Sequence, residues 1–208
     1  MSDYQFTHDW FSQNIPIWEA IKPHIPADPG RVFVEIGSFE GRSMVWIAEN
    51  LLRSGDLLVC IDTWQGGEEH SAEDMAAVEA RFDANRSHAC SKLDNLTIFK
   101  FKGTSLDGLT NELRNRGSTE SRPVDFVYID GSHQAKDVML DACLAWQLLA
   151  EGGVMVFDDY HWGEPRDVLH RPKLAIDMFT TLYAEEIAPL HVGYQYIIQK
   201  RRTQKATT

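Results

Sequence analysis

At 208 residues, 43% of them hydrophobic, the chain has the length of one domain and enough apolar side chains for a sizeable core. Its 31 acidic against 20 basic side chains leave a formal net charge of −11, which repels phosphate backbones and excludes nucleic acid as a partner. No apolar run approaches the ~18 residues of a membrane span. Met1 to Phe6 carries no basic stretch leading into an apolar one, and Cys60, Cys90 and Cys143 are odd in number and far apart, so a soluble cytoplasmic protein with reduced thiols is expected.

Residues 1–28, with Phe6, Trp10, Phe11, Ile15 and Trp18, are read as an amphipathic helical addition packed on the sheet edge, with a share in a substrate lid as its other reading. Short apolar runs then alternate with helical patterns, as in a parallel α/β sheet. Strands are predicted at Val32–Ile36, Leu57–Ile61, Leu96–Phe101, Asp125–Ile129 and Val154–Phe157, all as continuous apolar runs covered on both faces. Between them lie apolar stripes at helical spacing. These are Met44, Ile47, Ala48, Leu51 and Leu52; then Met75, Val78 and Phe82; then Leu106, Leu109 and Leu113; then Met139, Ala142, Cys143, Trp146 and Leu149. Gly152-Gly153 is expected to cap the last of these helices. An irregular stretch from Tyr160 to Pro172 leads to a helix over Leu174–Ile187, and Ile187–His191 with Tyr194–Gln199 is expected to close the chain as an antiparallel hairpin. The basic cluster Lys200, Arg201, Arg202 and Lys205 reads as a frayed end, 200–208. With no repeat or linker, 1–208 is one domain.

In such a sheet ligands bind beyond the carboxyl ends of the strands, beside the first one. There stands Glu35-Ile36-Gly37-Ser38-Phe39-Glu40-Gly41-Arg42-Ser43, whose glycines permit a tight turn and whose following helix offers N–H groups to a carboxylate. Asp62 ends the second strand, where it would accept hydrogen bonds from ribose hydroxyls or cap a turn. Ser105, after Gly103-Thr104, would meet an adenine or cap the next helix. Asp130 ends the fourth strand, and Asp158 and Asp159 end the fifth. Neighbouring strands lie ~4.8 Å apart, so these three carboxylates should converge. They would repel one another unless a hard divalent cation, Mg²⁺ above Ca²⁺ or Mn²⁺, offsets them. The other reading has Asp159 capping a loop and Asp130 touching a cofactor amine.

The glycine turn resembles the first motif of class I S-adenosylmethionine-dependent methyltransferases. It is closest to the form in catechol-type, metal-dependent O-methyltransferases, with Phe39 where many class I enzymes have a middle glycine. Asp130-Gly131-Ser132-His133 and Gly152 to Tyr160 resemble a branch that includes macrolide-sugar O-methyltransferases. The resemblance implies a Rossmann-like α/β fold, a mainly parallel seven-stranded sheet with an antiparallel last strand and helices on both faces. It implies S-adenosyl-L-methionine as cofactor, with Glu35, Gly37, Ser38, Gly41, Ser43, Asp62, Trp64, Ser105 and Asp130 around it. It also implies Asp130, Asp158 and Asp159 as metal ligands and His133 as general base. A histidine's ordinary pKa of ~6.5 suits that last role; its other reading is an exposed histidine opening a helix.

Tyr160, His161, Trp162 and His170 would shape the pocket for a small-molecule substrate, while His8, His24, His70, His88 and His191 read as surface or packing residues. The expected reaction is metal-assisted methylation of a sugar, diol or catechol-like hydroxyl, in a monomer or a homo-oligomer. The competing readings are a metal-independent methyltransferase, a nicotinamide-dependent oxidoreductase and a non-catalytic methyltransferase-like module. Absence of Gly-x-Gly-x-x-Gly disfavours the oxidoreductase, and the intact Glu35, Asp62, Asp130 and His133 disfavour the non-catalytic module.

Overall fold

The structure, a computed structural model, describes residues 4–67, 74–92, 94–115, 122–163 and 167–203, with the backbone alone for 113–115. His70, Lys205 and the side chain of Leu113 lie outside the described residues.

Seven strands form one sheet: β1 (Val32–Ile36), β2 (Leu57–Asp62), β3 (Thr97–Lys102), β4 (Val124–Ile129), β5 (Leu149–Phe157), β6 (Ile187–Val192) and β7 (Tyr196–Lys200), in the order β3-β2-β1-β4-β5-β7-β6. The first five are parallel, while β7 runs antiparallel to β5 and to β6. The Rossmann-like sheet closing on a hairpin is thus the architecture found. The chain leaves β1 toward β2 on one side and returns through β4 on the other, so the crevice between the carboxyl ends of β1 and β4 is the switch point where ligands bind.

Alternation along each strand divides the core in two. Phe33, Leu58, Cys60, Phe126, Tyr128 and Val156 face α1 (Ile15–Ile21), α2 (Arg42–Asn50) and α3 (Met75–Lys92). Val34, Ile36, Val59, Ile61, Val127 and Ile129 face α4 (Ser105–Asn115), α5 (Ala135–Leu148) and α6 (Lys173–Leu182). Two-sided burial holds for β1, where all five residues are buried. It fails for β3, where Phe99 is 52% exposed, because this strand has a neighbour on one side only and little covers its outer face.

Three expectations need correction. Gly152-Gly153 does not cap α5; the helix ends at Leu148, and Leu149 turns extended (φ −65°, ψ 131°) straight into β5. The glycines sit within β5, where its register against β4 slips between Leu149 and Val154, and Gly152 takes φ +83° there. The N-terminal addition is helical only from Ser12 to His24, and it covers the middle of the sheet rather than the edge. Trp18, fully buried, meets Phe11, Trp46 and Tyr128 edge-on at 4.9, 5.5 and 4.9 Å. Each such ring pair adds about 0.5–1.5 kcal/mol beyond area burial. Finally, the basic cluster is anchored through Arg201. Lys200 closes β7 and donates to the carbonyls of Trp146 and Leu149, while the Arg201 amide donates to Glu186 O at 2.7 Å.

Among the described residues, Cys60, Cys90 and Cys143 are free thiols, and no helix is long and apolar enough to cross a membrane.

Candidate active site

The loops leaving the strands begin level with one another because their first amides extend the parallel ladder. Gly37 N donates to Ile61 O (2.9 Å), Asp130 N to Ile36 O (2.8 Å), Gly103 N to Asp62 O (2.9 Å) and Asp158 N to Ile129 O (3.0 Å). This brings Glu35, Asp62, Asp130, Asp158 and Asp159 to one end of the sheet. Gly37 takes φ +84°, and a Cβ there would lie 2.0 Å from Asp130 O. Glycine is required at this position chiefly so that the turn after β1 can pass against the backbone leaving β4.

Asp62 pins the turn. Its Oδ2 accepts the amides of Ser38 and Phe39, both at 2.9 Å, and its Oδ1 accepts that of Trp64 at 2.7 Å. A carboxylate has about four acceptor sites, so Oδ1 keeps one for a further donor such as a ribose hydroxyl. Trp64 is buried, takes φ +49°, and donates its indole N–H to Phe39 O while packing on Phe82. Its ring thus props the turn from beneath. Gly41, at φ +80°, starts α2 without a side-chain cap, leaving first-turn N–H groups for an anionic ligand group.

Glu35 is completely buried; Ser38 Oγ donates to its Oε2 at 2.6 Å, and Oε1 has no partner. Burial raises its pKa to about 7, offset in part by the hydrogen bond from Ser38. Ser43, expected near a ligand carboxylate, is buried in the first turn of α2. The carboxyl holds a proton in the fold that the unfolded chain releases from pH 4.5 upward. Stability therefore falls as pH rises between those values, by about 3 kcal/mol once pH exceeds 7. Glu35→Gln should show a flatter decline in Tm between pH 5 and 8 than the parent, measured without ligand; an identical decline would place the titration elsewhere.

Across the crevice, Tyr128 OH donates within the pair Asp130 Oδ2 (2.9 Å) and Asp158 Oδ2. Gln195 Nε2 donates to Asp158 Oδ2 at 2.9 Å and is itself held by the Trp18 indole at 2.7 Å. Asp159, at φ +58°, turns back so that Oδ2 meets His133 Nε2 at 2.8 Å and Oδ1 accepts Tyr194 OH at 2.9 Å. The His133 ring stacks on Trp162 with centroids 3.9 Å apart. Burial and mutual repulsion push the carboxyl groups of Asp130 and Asp158 above the usual range.

The predicted convergence of acids is present in the crevice, but their orientation differs from a metal centre. Tyr128, Gln195, Tyr194, His133 and the Asp159 amide already occupy the oxygens of Asp158 and Asp159. Among the described residues no three His, Cys, Asp or Glu side chains are arranged to hold a metal ion. As arranged, the set does not fit one.

Of the expected pocket residues, Trp162 lies in the crevice. Tyr160 does not: its ring is buried on the α5–α6 side, and its hydroxyl donates to Asp177 Oδ1 at 2.7 Å. His161 and His170 are exposed. Ser105 begins α4, half-buried at the carboxyl end of the sheet. Sequence reasoning missed Tyr128, Tyr194, Gln195 and Glu40. Glu40 is buried within the turn, accepts Thr7 N at 2.7 Å, and so fastens the N-terminal segment over it. Only Tyr128 carried a local signal, a hydroxyl two residues before Asp130 in an apolar strand.

A methyltransferase-domain family model matches residues 34–160, from β1 through the acids after β5. An uncharacterized protein, R132, of Acanthamoeba polyphaga mimivirus is 30% identical over 129 residues, 62% of this chain; the chain spans about half that relative's length. The O-methyltransferase of Bacillus cereus, solved with S-adenosylhomocysteine, superposes with TM-score 0.59 at 20% identity, covering 95% of this chain and 84% of that one. TomG of Streptomyces achromogenes, an O-methyltransferase of tomaymycin synthesis solved with S-adenosylmethionine, gives 0.63 at 18% identity over 91% and 80%. A calicheamicin methyltransferase gives 0.59 at 12% identity over 90% and 77%. Identities this low show the fold, and the family match adds membership. The chain belongs to the methyltransferase-domain family and has the class I S-adenosylmethionine-dependent methyltransferase fold.

Proposed function

We propose that the protein methylates a hydroxyl group of a small molecule, with His133 removing the hydroxyl proton and Asp159 holding His133 in place. The observation that carries this reading is the His133–Asp159 contact beside the cofactor turn, with Trp162 stacked on the imidazole. Oxygen as acceptor is supported by the O-methyltransferases among the structural relatives, and a small substrate by the chain's acidity.

The sulfonium methyl is already activated, so the protein's task is to align an oxygen in line with it. With Asp159 accepting from Nε2–H, the imidazole presents Nδ1 as its basic nitrogen. As the carbon–oxygen bond forms and the carbon–sulfur bond breaks, the hydroxyl proton passes to Nδ1. The products are the methyl ether, S-adenosylhomocysteine and a protonated His133. Radiolabelled methyl transfer to a panel of sugars, diols and catechols tests the reading, and transfer to amines alone would overturn it.

A second reading, favoured by the mutual repulsion of Asp130, Asp158 and Asp159, has these carboxylates hold Mg²⁺. A bound ion would lower the pKa of the acceptor hydroxyl, and the donors now on those oxygens would have to give way. EDTA should leave methyl transfer intact if the His133–Asp159 pair suffices. Loss of activity restored by Mg²⁺ would establish the metal-dependent form.

A further inference from the structure

Two features that the crevice does not use meet at the opposite end of the sheet: Gly152 within β5, and the basic residues that follow β7. They border an open groove of about 750 Å³, lined also by Pro23, His24, Pro26 and Ala188. About six residues of β5, roughly 20 Å of strand, separate Gly152 here from Asp158 in the crevice.

The groove is held in shape by hydrogen bonds. Gln199 Nε2 donates to His24 O at 2.8 Å and to Gly152 O at 2.9 Å, tying β7 to the N-terminal helical segment and to β5. Arg201 is anchored by its amide on Glu186 O (2.7 Å) and its Nε on Ile187 O (2.8 Å), which leaves both terminal nitrogens to face a ligand. Arg202 lies against Gly152, where a Cβ would come within 3.0 Å of its Nε. The glycine thus makes room for the guanidinium.

Among the described residues, no carboxylate lines the groove or pairs with either arginine. In a chain with 31 acids against 20 bases, a cation that served the fold alone would readily find one. Arg31 is that case: it borders the adjoining cavity, and there it is buried against Asp56 at 2.6 Å. A concavity of one sign with apolar walls concentrates counter-ions. Guanidinium forks match carboxylates and phosphates. Two forks beside an imidazole offer more donors than one carboxylate accepts, and so favour a phosphate. The volume is that of a pocket for a small organic molecule.

We propose that this groove is a second binding site, separate from the methyl-transfer crevice, for a phosphorylated small molecule held by Arg201 and Arg202.

The test is calorimetric titration of inorganic pyrophosphate into the full chain at low salt, with S-adenosylhomocysteine saturating so that the turn before α2 is closed to anions. One equivalent should bind. Arg202→Gln, whose guanidinium has no carboxylate to abandon, should weaken binding by about ten-fold or more, as loss of a charge-assisted hydrogen bond does. Arg201→Lys keeps the charge but not the fork, and should weaken it as well. Lys92→Gln, which removes the same charge from α3, should leave affinity unchanged. Absence of binding would overturn the proposal. So would equal losses in Lys92→Gln and Arg202→Gln, the mark of a response to net charge alone. Tighter binding of malonate than of pyrophosphate would overturn the assignment to phosphate.

Discussion

His133→Ala is expected to lower kcat for methyl transfer by about 10²–10⁴-fold, the usual contribution of a positioned general base, while S-adenosylmethionine still binds. The turn that receives the cofactor is built from β1, β2 and α2, and its hydrogen bonds do not involve His133. The imidazole is instead fixed by Asp159 and by the face of Trp162. Asp159 pays for its place with a left-handed backbone, φ +58°, which an aspartate tolerates better than most residues. Asp159→Asn, isosteric and equally tolerant of that backbone, should keep the fold but lose part of the rate. If the two residues act as a unit, the double variant will be no slower than His133→Ala alone. Multiplicative losses would show that Asp159 acts separately from the base, and full activity in His133→Ala would end the base assignment.

The sheet was legible in the sequence because its central strands are buried on both faces, leaving apolar runs such as Val32–Ile36 that no helix pattern mimics. Edge strand β3 and the Gly152-Gly153 pair were less so. Two glycines after a helical stripe look alike as a helix cap and as an irregular strand entry, and the pairing of β5 with β4, distant in sequence, decides between them. The acids of the site were legible by position, since strand ends can be counted. Their directions were not. Tyr194 and Gln195 reach Asp159 and Asp158 from the hairpin, 35 and 37 residues away, and such contacts leave no local pattern. The directions of Trp64 and Tyr160 were hidden for a related reason. A side chain just after a strand end points wherever the turn sends it, and the left-handed φ of +49° at Trp64 is not written in residue type.

Gly37→Ala is expected to be the most damaging single methyl group that can be added to the site, costing more than about 3 kcal/mol of stability and abolishing cofactor binding. Two effects combine. The alanine must adopt φ +84°, worth about 1–2 kcal/mol for a non-glycine residue. Its Cβ must also avoid Asp130 O at 2.0 Å, Asp130 C at 2.5 Å and Gly131 Cα at 2.8 Å. These are backbone atoms tied into the ladder, with Asp130 N on Ile36 O and Gly37 N on Ile61 O, so relief means prising β1 from β4 at their carboxyl ends. That would displace Asp130 together with the turn, which is why binding should fail along with stability. Gly55→Ala separates the two effects: Gly55 has φ +88° but nothing within 4 Å of an added Cβ. It should show the conformational penalty alone, with cofactor affinity intact. Denaturant midpoints and S-adenosylhomocysteine titrations of the two variants measure the difference. Equal losses in both would mean that the close approach of β1 to β4 does not govern the site.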